Sequence, residues 1–302
     1  MSWVFLALGS ALAFAVVSAL DKILIQRFVP NPRAFIVLVG LIQFGLAAIV
    51  LPFAKFSGYG LDTALISCAS GFLAGIYLVL MFWVMRMQDV SRVVPITSTH
   101  PIFVAILAQV FLGEIISVLA WAGILVTVGG AALMSFGPTT RRSERGQSQW
   151  VPFALLMVSS LAFGLSQYLT KVVAGDIDVW SLFVWRGVGL GIACVGIMIR
   201  KSMFPDLVRA IRDPVSISLT VLTEGVLVLI AVILQLLAIY SGPVSLAVTV
   251  MAIRPLFVFI LGILLSLGVS RVLDEPLEGG ILATKLAAIA MTVGGIIAVT
   301  LA

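Results

Sequence analysis

The chain has 302 residues, of which 62% are hydrophobic and 10% charged, and its mean hydropathy is +1.23. Such a composition belongs in lipid and leaves little for a water-exposed domain. The net charge of +5 is scattered between apolar stretches and forms no soluble basic face, so it points to membrane orientation and not to nucleic acid.

A bilayer core of about 30 Å takes roughly 20 apolar residues per helix. Ten stretches of that kind predict transmembrane helices at 3–22, 34–54, 62–85, 91–112, 116–136, 151–173, 178–199, 216–240, 244–267 and 281–302. The first has no basic segment ahead of it and is too long for a cleaved signal, so a retained helix is expected. The second carries Gln43, the third Cys68 and Tyr77, and the fourth the run Thr97-Ser98-Thr99-His100-Pro101. After the fifth comes the longest polar segment, 137–149, whose Arg141, Arg142, Glu144 and Arg145 read as a solvated linker. The sixth span carries Ser166, Gln167, Tyr168 and Lys171, the seventh Trp185-Arg186-Gly187, the eighth Glu224 and Gln235, and the ninth Arg254-Pro255. Cys68 and Cys194 fall inside spans as small hydrophobes with no metal-ligand spacing, and neither a metal nor a cofactor is expected.

Basic residues divide unequally between the two faces these spans define. The face away from the termini receives Lys22, Arg27, Arg33, Arg86, Arg92, Arg141, Arg142, Arg145, Arg200, Lys201, Arg209, Arg212, Arg271 and Lys285, 14 of the 18. The face holding the termini receives only Lys55 and Lys171, while Arg186 and Arg254 lie within spans. The positive-inside rule then makes the first face cytoplasmic and both termini extracytoplasmic, in a bacterial inner (plasma) membrane.

The sequence also repeats itself. Leu12-Ala13-Phe14 with Lys22 recurs as Leu161-Ala162-Phe163 with Lys171 at an offset of 149; Val90-Ser91 and Pro101 recur as Val244-Ser245 and Pro255 at 154; Thr127-Val-Gly-Gly130 recurs as Thr292-Val-Gly-Gly295 at 165. Matches in one order at growing offsets indicate duplication with loop insertion, the last step falling in the loop at 271–280. Five spans per copy is odd, so the copies enter the membrane from opposite sides. The expected fold is an all-α membrane protein of ten transmembrane helices, as two inverted-topology five-helix repeats at 1–136 and 150–302. That architecture is typical of alternating-access transporters, with substrate held between the repeats.

Ten spans as five plus five, the turn Phe111-Leu112-Gly113-Glu114 after a span carrying Pro101, and the closing Gly-Gly helix resemble the EamA family of the drug/metabolite transporter superfamily over essentially the whole chain. Lys22 and Lys171 in the first helix of each copy, and Arg186, match that family's pattern. Two positions depart from it: position 37, equivalent to Arg186, is Val, and Gly268 stands where Glu114 aligns. The resemblance implies an exporter of a metabolite or amino acid. Related ten-helix carriers commonly keep both termini cytosolic, opposite to the orientation the charges give here.

An ionisable group inside a span costs about 3 kcal/mol on insertion scales unless it faces a cavity or a partner, so each is a candidate for function. His100 and Arg254 are repeat equivalents, each just before a proline, and Pro101 and Pro255 are candidate kink or gating points. Lys22 and Lys171 are placed to approach opposite mouths of one pathway or to snorkel to headgroups. Glu224 fits either a proton carrier or an ion pair with Arg186 or Arg254. Tyr77, Gln167 and Tyr168 supply neutral contacts. The candidate substrate-binding set is thus Lys22, Tyr77, His100, Gln167, Tyr168, Lys171, Arg186 and Arg254. Gly71-x-x-x-Gly75, Gly187-x-x-x-Gly191 and the two Gly-Gly pairs fit close helix packing.

A membrane enzyme is disfavoured: the spans hold one histidine, no acidic cluster, no phosphate loop and no metal spacing. A multidrug exporter and a passive metabolite channel are the competing readings. The cationic candidates favour a small-molecule substrate bearing a carboxylate or phosphate, bound by a monomer or homodimer in the lipid bilayer. The charge bias predicts that cysteines placed at the termini react with an impermeant thiol reagent in intact cells, while cysteines in 137–149 do not. The reverse pattern inverts the topology.

Overall fold

The computed structural model describes residues 2–85, 93, 96–135, 150–266 and 279–301, and among them the secondary structure is helical without strands. The linker 137–149, Val90-Ser91, Gly268 and Arg271 lie outside the described residues. The long helices are α1 (Ser2–Ile23), α2 (Pro32–Val50), α3 (Leu61–Met85), α4 (His100–Phe111), α5 (Val118–Ser135), α6 (Trp150–Val173) and α7 (Val179–Met198). They continue with α8 (Phe204–Arg212), α9 (Pro214–Thr220), α10 (Val228–Ser241), α11 (Val244–Met251), α12 (Arg254–Ser266) and α13 (Gly279–Leu301). Among the described residues, eight helical segments are long and apolar enough to cross a membrane, and the apolar stretches His100–Phe111 and Val118–Leu133 are shorter. The chain is a multi-pass membrane protein.

Three local features differ from the sequence expectation. The first helix runs past Lys22 through a π-helical stretch, Leu24–Phe28, so Asp21 and Lys22 lie inside a span of 27 residues. A second π-helical stretch, Val221–Leu227, joins α9 to α10. Lys285 is not a loop residue either: it is buried, with its ammonium 4.3 Å from the centre of the Phe259 ring. With Lys22 and Arg27 in the first span and Lys285 in the last, 11 of the 14 basic residues assigned to that face lie outside these helices. The connection 200–213 holds a short amphipathic helix, α8, whose Leu207 and Ala210 are buried with Leu24, Val29 and Ala34 while Arg209 and Arg212 face out. Asn31 fastens it by donating to Asp206 at 2.7 Å.

Glycine decides how closely these helices approach, since lipid gives apolar helices no reason to associate unless their backbones fit together. A Cβ on Gly71 of α3 would overlap the Arg186 carbonyl of α7, and one on Gly189 would overlap the Cys68 carbonyl. The Gly-Gly pairs do the same between α5 and α13: a Cβ on Gly130 would lie 2.6 Å from Thr292 N, and one on Gly295 2.7 Å from the Gly123 carbonyl. One glycine of each pair, Gly130 and Gly295, therefore packs inside the monomer, while a Cβ on Gly294 would meet nothing within 4 Å. Asp178 caps α7, accepting from the backbone N–H groups of Trp180 and Ser181 at 3.0 and 3.1 Å, and Ser181 in turn donates to the Lys55 carbonyl at 3.0 Å.

Two stability predictions follow from this packing. Gly71→Ala forces α3 off α7 and should lower stability by about 1–3 kcal/mol, seen as an earlier thermal unfolding in detergent. Asp178→Ala should cost about 1 kcal/mol at neutral pH. Partial burial raises the Asp178 pKa, but bonds from the Ser181 hydroxyl and the backbone outweigh it and hold the carboxyl below its ordinary value of 3.8. The cap's contribution is therefore present above that value, and the difference between wild type and variant should shrink as pH falls below it.

Candidate functional site

Polar side chains from several helices converge where the chain breaks or loosens. Pro255 sits at the first turn of α12, just after the interruption at Ala252–Ile253, and Arg254 is the first residue of that helix. Its Nε donates to Ser18 Oγ of α1 at 3.0 Å, and one Nη reaches the same oxygen. Its guanidinium carbon lies 5.3 Å from the centre of the Phe14 ring. Phe14 and Ser18 are one helical turn apart, so a single face of α1 receives the arginine.

His100 occupies the matching place at the start of α4. Pro101 has no N–H, which leaves the Thr97 carbonyl without its helical donor. The His100 ring takes that role with Nδ1 at 3.0 Å, and the Ser160 hydroxyl of α6 adds a longer bond at 3.4 Å. A carbonyl only accepts, so Nδ1 carries a hydrogen. The imidazole meets the Phe163 ring edge-on at 4.8 Å, and Phe163 stacks on Tyr77 at 4.5 Å. His100 and Tyr77 both lie within electrostatic reach of Arg254.

Beside Arg254 lies a carboxyl pair. Asp21 of α1 and Glu224 of the second π stretch share a hydrogen bond, and Arg254 acts on both. Asp21 Oδ1 is shielded from solvent and has no hydrogen-bond partner. Each acid adjoins or occupies a π stretch, a loosened helical turn often found where side chains must be aimed.

Arg186 forms a separate cluster. Its Nη1 donates to Ser70 Oγ at 3.1 Å, to Thr170 Oγ1, and to the Ser166 carbonyl at 3.5 Å, joining α7 to α3 and α6. A third set of contacts clasps the turn between α10 and α11. Lys171 donates to the Ile239 and Gly242 carbonyls, each at 2.8 Å, placing a cation at the carbonyl end of α10. Glu114 accepts from the N–H groups of Val244 and Ser245 at 2.8 and 3.3 Å, an anion at the amide end of α11. Gly113 permits that reach because its φ of +66° ends α4 in a left-handed turn.

The structure therefore gathers His100, Tyr77, Arg254 and Glu224, and sets Arg186 and Lys171 in neighbouring clusters. Lys22 is exposed, and Tyr168 packs against Phe111 at 6.0 Å, so neither joins. Gln167 is wholly buried with both amide atoms unpartnered. A cavity of about 290 Å³ lies elsewhere, among Arg33, Val79, Leu80, Trp83, Leu155 and Arg200 at the far ends of α2, α3 and α7. Sequence reasoning missed Asp21 because the predicted span stopped at Lys22. It also missed Ser18, and took Glu114 as a motif without its capping role; the signal for that role was the left-handed glycine preceding an acid.

A search of curated proteins found no match. A solved structure described only as the crystal structure of a protein superposes with a TM-score of 0.70 at 16% identity, covering 100% of this chain and 96% of that one, which shows a shared fold. Residues 1–136, carrying the first π stretch, the His100-Pro101 break and Glu114, are similar to the EamA-like transporter family.

Proposed function

We propose that the chain is a secondary transporter, built from two inverted five-helix repeats at 1–136 and 150–302, that moves a small carboxylate-bearing metabolite such as an amino acid across the bacterial inner membrane by alternating access. Several contacts occur twice at the repeat offsets, which supports the duplication. Ser10 donates to the Ala231 carbonyl at 2.9 Å and Ser159 to the Tyr77 carbonyl at 3.0 Å; 10 + 149 = 159 and 77 + 154 = 231. The Phe14–Arg254 contact likewise corresponds to Phe163–His100, since 14 + 149 = 163 and 100 + 154 = 254.

One observation carries alternating access: the repeat equivalents are not equally closed. Gly71 is pressed onto the backbone of α7, whereas its equivalent Gly225 (71 + 154) meets only Val221 of its own helix, at 3.6 Å. The image of the α3–α7 contact would be a contact of the Gly225 stretch with α2, near Val37. The Gly225 stretch does touch α2, but without the backbone overlap seen at Gly71; such unequal images suit a carrier resting on one side of its cycle, whereas a passive channel has no need of the difference. Arg254 is the residue we assign to the substrate anion, with His100, Tyr77 and Gln167 lining the approach. Arg186, with its hydroxyl partners, serves the closed interface. Export as the direction follows the EamA-like resemblance.

A thermal-shift screen of purified protein against amino acids, organic acids and sugar phosphates should identify the ligand by its stabilisation of the folded state. For that ligand, Arg254→Lys should weaken uptake into vesicles about tenfold or more with unfolding unchanged, because lysine offers a point charge where guanidinium offers two aligned donors. Normal uptake by the variant would remove Arg254 from recognition. Gly225→Ala should be tolerated in folding, since an added Cβ at this buried glycine would meet nothing nearer than Val221 at 3.6 Å, yet weaken transport by obstructing the tighter closure; full activity would remove the paired-glycine account of switching.

A further inference from the structure

The repeat offsets set two buried clusters against each other, residue for residue. Thr170 corresponds to Asp21 (21 + 149), Ser70 to Glu224 (70 + 154) and Arg186 to Val37 (37 + 149). In the first cluster two hydroxyls surround a built-in cation, the Arg186 guanidinium. In the second both hydroxyls have become carboxyls and the cation has become Val37, which is buried and apolar. This slot has gained two acids and lost the arginine that its counterpart holds.

We propose that Asp21 and Glu224 form a binding site for one exchangeable proton, which takes the place of the missing guanidinium. Helix α1 packs on the Val221–Leu227 stretch, Glu224 is buried and Asp21 Oδ1 is shielded with no hydrogen-bond partner; two carboxylates have only acceptors, so acids placed together in this way are joined only when one of them holds a hydrogen. The groups that face the pair are Arg254 from α12 and Cys194 from α7, while Lys22, next to Asp21 on α1, is exposed. Release is a simple dissociation: the O–H bond of the shared carboxyl breaks, the proton passes to water and two carboxylates remain. Those carboxylates have only Arg254 to face, so the deprotonated state draws on the same guanidinium that the transport reading gives to substrate. The role of the site as a coupling site rests on that reading, but its existence does not.

Infrared difference spectroscopy of the purified protein in lipid discs, between mildly acidic and mildly alkaline pH, tests the site directly. The expected result is a protonated-carboxyl carbonyl band that disappears on alkalinisation and is missing at every pH from the isosteric double variant Asp21→Asn, Glu224→Gln. Asp62→Asn, at an exposed helix start, should keep it. Circular dichroism and thermal unfolding check that the double variant folds; if it does not, Val37→Lys takes its place in the test, its added cation being expected to abolish the band by ionising both acids. Absence of a pH-sensitive band in wild type, or its persistence in the folded double variant, overturns the proposal. So does a band removed by sodium chloride and not by potassium chloride at fixed pH, which would make the site one for sodium. A missing band with Arg254-dependent uptake sinks the proton site alone, and an intact band without uptake of any screened ligand sinks the transport reading alone.

Discussion

A polar group in hydrocarbon has no water to turn to, so a partner elsewhere in the chain is worth much to it, and most of the buried charges here have one. That constraint sews the helices together. Arg186 is answered from α3 and α6, Lys171 by the carbonyl end of α10, and Glu114 by the amide end of α11. Ser10 and Ser159 each hand a hydrogen to a carbonyl on a helix far away in sequence. Apolar side chains cannot give this specificity, because lipid tails satisfy them equally well.

Close approach depends on what is missing as much as on what is present. Where α3 meets α7 and α5 meets α13, glycine removes the side chain and lets backbones touch. Touching backbones fit in one register only, which makes such an interface either engaged or apart. Gly71 and Gly225 differ in this respect, since a Cβ on the first would overlap another helix's backbone and one on the second would meet only its own helix.

The chemistry gathers where helical order is interrupted. Pro101 and Pro255 each start a helix after a break and bring His100 and Arg254 to the gap, and the two π stretches do the same for Asp21 and Glu224. Regular helices hide their backbone groups and point side chains at fixed angles. A broken one frees a carbonyl, as at Thr97, and re-aims the side chains around it.

The sequence by itself determined that the chain is a multi-pass helical membrane protein, because composition and span length answer to bilayer thickness alone. It also marked His100, Arg254 and Glu224, since an ionisable residue in an apolar run is conspicuous wherever it packs. It did not disclose Asp21, which stood at the margin of a predicted span until a π stretch carried that helix further. Only the tertiary structure decided which partner each charge received: Arg186 took hydroxyls, Arg254 took Ser18 and Phe14, and Lys22 took none of these and remained exposed while Lys171 was drawn inward. Residues in similar sequence settings, such as Lys22 and Lys171, can still part company in this way, because partnership depends on the distance between helices distant in the chain, and glycine contacts set that distance.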